Sequence, residues 1–103
     1  MGVATKAQVL AILRQRDQQL RALGVQRCGV FGSFARSESH SESDVDILVE
    51  FVPGQKTFDN FMQVALSLEE WFGRKVDLVT TESLSPYLGP RILREVEYAA
   101  VGA

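Results

Sequence analysis

The sequence predicts an α/β fold: a small mixed sheet of about three strands flanked by helices, in a single domain spanning residues 1–103. Three observations predict it. The chain has 103 residues, 46% hydrophobic and 23% charged, which suits one ordinary globular core and not a disordered tail. Segments of helical and of strand periodicity alternate along it. Glycine or proline punctuates most of the junctions between them.

A first helix is expected from about Lys6 to Leu23. Thr5 and Gln8 form a capping box, in which each side chain satisfies a free backbone N–H of the other's segment. Val9, Ile12, Leu13, Leu20 and Leu23 share one stripe, with Arg14, Asp17, Gln18 and Arg21 facing away. Gly24 suits the positive-φ position that ends such a helix. Val25 to Phe31 is a short strand bounded by glycines. Gly32-Ser33 ends it, and Phe34 to Arg36 is a short helix. Ser37 to Ser43 alternates serine with charged and polar residues, has no apolar anchor, and reads as a mobile loop. Asp44 to Phe51 is the clearest strand: Val45, Ile47, Val49 and Phe51 lie on one face, and Asp44, Asp46, Leu48 and Glu50 on the other. After the Pro53-Gly54 turn, Thr57 caps a helix from Phe58 to Phe72, with Phe58, Phe61, Met62, Ala65, Leu66 and Phe72 as its apolar stripe. Gly73 can end it. Arg74 to Thr80 is a third strand, with Lys75, Asp77 and Val79 on one face. Pro90 suits the start of a last helix lined by Ile92, Leu93, Val96 and Ala100. Helices are expected on the Val/Ile/Phe face of the sheet.

Composition excludes several kinds of function. Eleven Lys+Arg against thirteen Asp+Glu leave a formal charge of −2, not the basic stripe that grips nucleic acid by its phosphates. One cysteine, Cys28, and one histidine, His40, exclude an intramolecular disulfide and a zinc centre rich in thiolate or imidazole. No apolar run reaches the roughly 18 residues that span a bilayer, and the first residues lack a signal-peptide core. The expected setting is the reducing cytoplasm, with no membrane partner. A chain this small leaves little room for a deep second-substrate pocket, so a partner is expected to bring something to the reaction.

The strand from Asp44 poses the chemical question. Residues two apart on a strand point the same way about 6.7 Å apart. Two carboxylates at that separation repel by roughly 2–3 kcal/mol at an effective dielectric of about 20. Asp77, on the next strand, can face the same side. Such a surface is stable if fully hydrated, the common case for a lone Asp-x-Asp, or if a cation sits in it. Oxygen-only donors suit Mg²⁺ or Mn²⁺ rather than zinc. Gly32-Ser33 adds a second signal. A glycine at a strand end lets backbone approach a phosphate, and the hydroxyl and free N–H groups of a helix start donate to an anion. If the two strands run antiparallel, Ser33 comes to lie beside Asp44 and Asp46. Phosphate donors facing a carboxylate metal site is the layout of two-metal phosphoryl or nucleotidyl transfer.

Gly32-Ser33, ten residues, then Asp44-Val45-Asp46, within VFGSFARSESHSESDVDILVEF, resembles the signature of minimal nucleotidyltransferases of the DNA polymerase beta superfamily, and more narrowly that of MNT-type antitoxins paired with HEPN toxins. Lys75-Val76-Asp77-Leu78-Val79 resembles the strand that carries the third carboxylate there. One departure is visible: Ser37 stands where the family usually has glycine. The resemblance implies a minimal nucleotidyltransferase fold. It implies that Asp44, Asp46 and Asp77 hold two Mg²⁺ ions (Mn²⁺ as the alternative), that Asp77 serves either as the base for the acceptor's proton or as a metal ligand only, and that Gly32, Ser33 and Arg36 contact the nucleotide. It also implies an antitoxin that moves AMP from ATP to a tyrosine hydroxyl of a cognate HEPN ribonuclease toxin and so silences it.

Other residues invite plainer readings. Arg36 is equally well a structural ion pair, Arg74 and Lys75 a solvated strand end, His40 a solvated loop residue, and Cys28 a small buried apolar group. Trp71, Phe58, Phe61 and Phe72 read as core, and Arg14, Arg16 and Arg21 as a solvated helix face. Two other functions compete: an antitoxin that blocks its toxin by contact alone, and a nucleotidyltransferase acting on a small molecule. Clustered carboxylates serve no purpose in the first. For the second, an acceptor-binding domain would be expected beyond the last helix.

Overall fold

A computed structural model describes residues 2–99. Along it run α1 (Lys6–Gln15), α2 (Asp17–Ala22), β1 (Val25–Phe31), α3 (Gly32–Ala35), β2 (Val45–Phe51), α4 (Phe58–Phe72), β3 (Val76–Thr80), a 3-10 turn (Thr81–Ser83), α5 (Gly89–Glu95) and β4 (Glu97–Tyr98). The strands form one mixed sheet in the order β3-β2-β1-β4, with β2 antiparallel to β1 and parallel to β3. Helix α4 supplies the crossover that a parallel pair requires.

One face of the sheet carries the main core. Val45, Ile47, Val49 and Phe51 pack there with Cys28 and Val30 of β1, with Val9, Leu10, Leu13 and Leu20 of the first two helices, and with Val64, Leu68 and Phe72 of α4. Phe34 of α3 joins the same cluster. Leu48 and Phe31 are buried outside it. Their strand positions put them on the opposite face, under α5 and the segment that follows β3. The face with the aspartates is therefore covered over part of its length.

Local signals behave as expected at several ends. The Thr5–Gln8 capping box forms, Thr57 accepts the Asn60 N–H at 3.1 Å, and Gly73 closes α4 at φ 67°. Gly24 takes φ 87°.

Five expectations fail. The first helix is broken at Arg16 (φ −99°, ψ 17°) into two pieces. No glycine or proline marks that break; the Arg16 guanidinium lies over the Trp71 ring, 5.2 Å from its centroid. The short helix begins at Gly32 and ends at Ala35, and β2 and β3 begin at Val45 and Val76, leaving Asp44, Arg74 and Lys75 just ahead of them. The buried stripe of α4 is Val64, Leu68 and Phe72, flanked by Phe61 and Trp71, whereas Phe58, Met62 and Leu66 face outward. Two apolar stripes compete on this helix, and only contact with the sheet selects between them. The last helix stops at Glu95, and Leu93 lies outward. Val96 turns extended, and Glu97–Tyr98 pair with Val30 and Gly29 to make a fourth strand. The open edge of β1 offers unpaired N–H and C=O groups, and this segment satisfies some of them. Ala100, expected on that helix, lies outside the described residues. Finally, the Ser37–Ser43 loop is tied down. Arg74 donates to the Ser43, His40 and Val3 carbonyls at 3.1, 2.6 and 3.2 Å, and the His40 N–H donates to the Ser43 hydroxyl at 2.9 Å. Arg74 is thus not a solvated strand end but a tether between the loop and the N-terminal segment.

Candidate active site

The sheet register brings the predicted residues to one corner. On the antiparallel side, Phe31 pairs with Asp46, so the chain leaving β1 turns at Gly32 directly beside that aspartate. On the parallel side, Asp46 pairs with Asp77. In-register neighbours on adjacent strands share a face, with backbones about 4.8 Å apart. Asp44 lies just ahead of β2, near enough for its charge to act on Asp46.

Gly32 is required twice at this turn. It sits at φ 72°, where a side chain is strained. A Cβ there would also collide with the Asp46 carboxylate, Oδ2 being its nearest neighbour. The sequence reading wanted this glycine for a phosphate; the structure shows that it also makes room for a carboxylate.

Electrostatics single out Asp46. Burial, then the charges of Asp77 and Asp44, push its carboxyl up from 3.8 to about 6, against a small opposing pull from Arg36. Asp46 is half-buried, whereas Asp44 and Asp77 are exposed.

Glu95 is a participant that the sequence reading missed. Its Oε2 accepts the Gly32 N–H at 2.8 Å, and its Oε1 accepts from Arg36 Nη1 at 2.5 Å. Burial pushes Glu95 up, but Arg36 and the Gly32 N–H outweigh it and hold the carboxyl below its usual range. Arg36 also donates from Nε to Glu38 at 2.9 Å. The ion-pair reading of Arg36 is therefore realised, and the Gly32 N–H already has an acceptor. Ser33 differs: its hydroxyl has no hydrogen-bond partner among the described residues. Nothing in sequence spacing marks Glu95, which lies 63 residues from Gly32 and 59 from Arg36.

Elsewhere the plain readings fit. His40 is exposed, and its Nδ1 accepts the Glu42 N–H at 3.2 Å. Cys28 is buried, which pushes its thiol up to about 12. Phe72 is core, whereas Phe58 is 77% exposed and belongs neither to the core nor to this corner.

Among the described residues, no three His, Cys, Asp or Glu side chains come close enough together to hold a metal ion. The donor type nonetheless fits a hard divalent cation: the candidate ligands are all carboxylates, and the charges of Asp77 and Asp44 add to burial in pushing Asp46 up.

A profile of the nucleotidyltransferase domain matches residues 7–99. The chain belongs to this nucleotidyltransferase family. It is 39% identical over 101 residues to the protein adenylyltransferase MntA of Thermococcus cleftensis, covering 95% of this chain and 99% of that one. Among solved structures, it resembles a chain of a toxin–antitoxin complex with AMP-PNP (21% identity, TM-score 0.67, covering 96% of this chain and 75% of that one). It also resembles a chain from the complex of a tri-AMPylated Shewanella oneidensis HEPN toxin with its MNT antitoxin (20% identity, TM-score 0.62, covering 90% and 73%). At those identities the two structures establish the shared fold, which is the minimal nucleotidyltransferase architecture with one more strand than the sequence suggested. None of the helices of this nucleotidyltransferase among the described residues is long and apolar enough to cross a membrane.

Proposed function

We propose that this nucleotidyltransferase is the antitoxin of a HEPN/MNT pair and a protein adenylyltransferase, moving AMP from ATP to a tyrosine hydroxyl of its HEPN toxin. The observation that carries the reading is the in-register pairing of Asp46 with Asp77 beside the Gly32-Ser33 turn. Four predicted residues of different roles meet at one corner, although they are distributed over 46 positions of sequence. Support for the donor and the partner comes from the MntA relative and from the toxin–antitoxin complexes that share the fold.

In this reading Ser33 donates to the β- and γ-phosphates from one flank of Asp46. Asp44, Asp46 and Asp77 would hold Mg²⁺, which when bound offsets the triphosphate's charge and that of the departing pyrophosphate. Asp77, on the other flank, takes the proton of the attacking hydroxyl. Gly32 and Arg36 contribute once Glu95 yields them, or act indirectly by fixing the turn.

The occupancy of Gly32 and Arg36 by Glu95 favours one competing reading, an antitoxin that acts by contact alone. Incubation of the protein with its HEPN toxin, Mg²⁺ and ATP labelled at the α-phosphate separates the two. Transfer of label to the toxin is expected, on tyrosine by peptide mass mapping. Protection from toxicity without label would establish the contact-only antitoxin.

A further inference from the structure

Beside Asp77, on the covered part of the aspartate face, lies a cleft of about 320 Å³. Phe31 and Val79 line it from the sheet, and Leu84, Leu88 and Ile92 from the segment after β3 and from α5. Asp77 is its one acidic residue. Its size falls at the small end of ligand sites, enough for one ring and too little for a whole nucleoside triphosphate. Leu88 is 58% exposed, so an apolar rim stands open to solvent next to a carboxylate.

The order of strands assigns this cleft a direction. In-line displacement at phosphorus puts the attacking and departing oxygens on opposite sides. The Gly32-Ser33 turn flanks Asp46 from the β1 side, and Asp77 flanks it from the β3 side. With pyrophosphate departing toward Ser33, the nucleophile arrives from the side of Asp77, which lines the cleft together with Val79 on β3 and Phe31 on β1. Apart from Asp77, Ser83 and Ser85 the lining is apolar, so an apolar body ending in a hydroxyl, such as a phenol, matches it better than the aliphatic hydroxyl of serine.

We infer that the cleft formed by Phe31, Val79, Leu84, Leu88 and Ile92 seats the aromatic ring of the acceptor tyrosine and presents its hydroxyl to the α-phosphate at Asp77. The inference rests on the transferase reading above and adds the acceptor's seat and the reason for an aromatic acceptor. In the step it serves, the phenolic oxygen bonds to the α-phosphorus. The bond from that phosphorus to the α,β-bridging oxygen breaks, pyrophosphate leaves with the electron pair, and the phenolic proton passes to the Asp77 carboxylate.

The test is steady-state labelling of the intact HEPN toxin by wild type, Leu88→Trp, Ile92→Ala and Ile92→Leu, alongside binding of Mg²⁺–AMP-PNP and a thermal melt for each. Narrowing the cleft with Leu88→Trp should cut kcat/KM for the toxin at least about tenfold, because a small misplacement of reacting groups is costly. Ile92→Ala should raise the KM for toxin several-fold, and Ile92→Leu should restore it. AMP-PNP affinity should stay within about twofold of wild type throughout. Wild-type labelling kinetics in folded Leu88→Trp would overturn the inference. So would loss of AMP-PNP affinity with an unchanged KM for toxin, which would make the cleft the seat of the nucleobase. If Leu88→Trp does not fold, the Ile92 pair decides by the same two readouts. Absence of label with the wild-type protein itself would remove the transferase reading and the inference together, a result distinct from failure at the cleft alone.

Discussion

Asp46 shows how one residue carries opposed demands. Its carboxyl is pushed up by burial and by two neighbouring charges, so ionising it costs the folded protein free energy. Its full contribution to stability is present below pH 3.8, where both folded and unfolded states hold the proton, and is lost as pH rises through about 6. The rise from 3.8 to about 6 is worth about 3 kcal/mol for an enclosed group, and about 1 kcal/mol after allowing for solvent screening at this half-buried one. Urea unfolding should therefore find Asp46→Asn more stable than wild type by about 1 kcal/mol at pH 7.5, with the difference vanishing near pH 4. The same substitution, or Asp44→Asn, should cut AMP transfer to the toxin by at least about 100-fold, since changes one shell further out already cost about 10–100-fold at metal sites. Equal transfer rates at saturating Mg²⁺ would remove the metal assignment. Ser37 makes a different point. It occupies φ 59°, the left-handed region that favours glycine, so a glycine would sit at this position without strain. Ser37→Gly should raise stability by roughly 0.5–1 kcal/mol in the same unfolding assay, the relief of strain exceeding the added chain entropy.

At the scale of an element, α4 and the turn into α3 are informative. Helix α4 carries two apolar stripes, and period alone cannot say which meets the sheet. Leu68 and Leu66 differ by two positions and by nearly everything else: the first is fully buried and the second 56% exposed. Leu68→Ala should cost about 2–4 kcal/mol and Leu66→Ala under about 0.5 kcal/mol, measured by thermal or urea unfolding. Comparable losses at both positions would mean that the outward stripe is covered. At the β1–α3 turn, Gly32→Ala must push either the backbone or the Asp46 carboxylate out of place. It should lower transfer by about 100-fold, the cost of a displacement near 1 Å in reacting groups, and lower the melting temperature as well. A Gly32→Ala protein with normal kinetics would show that the turn has slack.

For the whole molecule, the sheet is what makes a site from scattered residues. Neighbouring strands bring positions 31, 46 and 77 into one row, and the like charges of Asp46 and Asp77 oppose folding in a way that a bound cation would relieve. Mg²⁺ should accordingly raise the melting temperature of the wild-type protein, by an amount that grows with concentration toward about 2.7 kcal/mol at 100 times the dissociation constant. Asp46→Asn should show little of that shift, and chelation should reverse it; differential scanning fluorimetry checks all three. A wild-type melting temperature indifferent to Mg²⁺ would contradict carboxylate ligation.

The strands at Val25–Phe31 and Val45–Phe51 and the capped starts of α1 and α4 were legible in the sequence because each depends on neighbours within a few residues, through alternation or a cap; the Gly-Ser/Asp-x-Asp pairing was legible through its resemblance to a known signature and a single antiparallel turn of chain. What the tertiary structure decided involves partners that are distant along the chain. The break at Arg16 faces Trp71, α4's buried stripe is chosen by the sheet, β4 exists because β1 has an edge to fill, Arg74 tethers the loop ahead of β2, and Glu95 reaches back to Gly32 and Arg36. Local periodicity is fixed by covalent geometry, whereas these choices are made by whichever distant surface comes to pack against the chain, and no pattern along the chain encodes that surface.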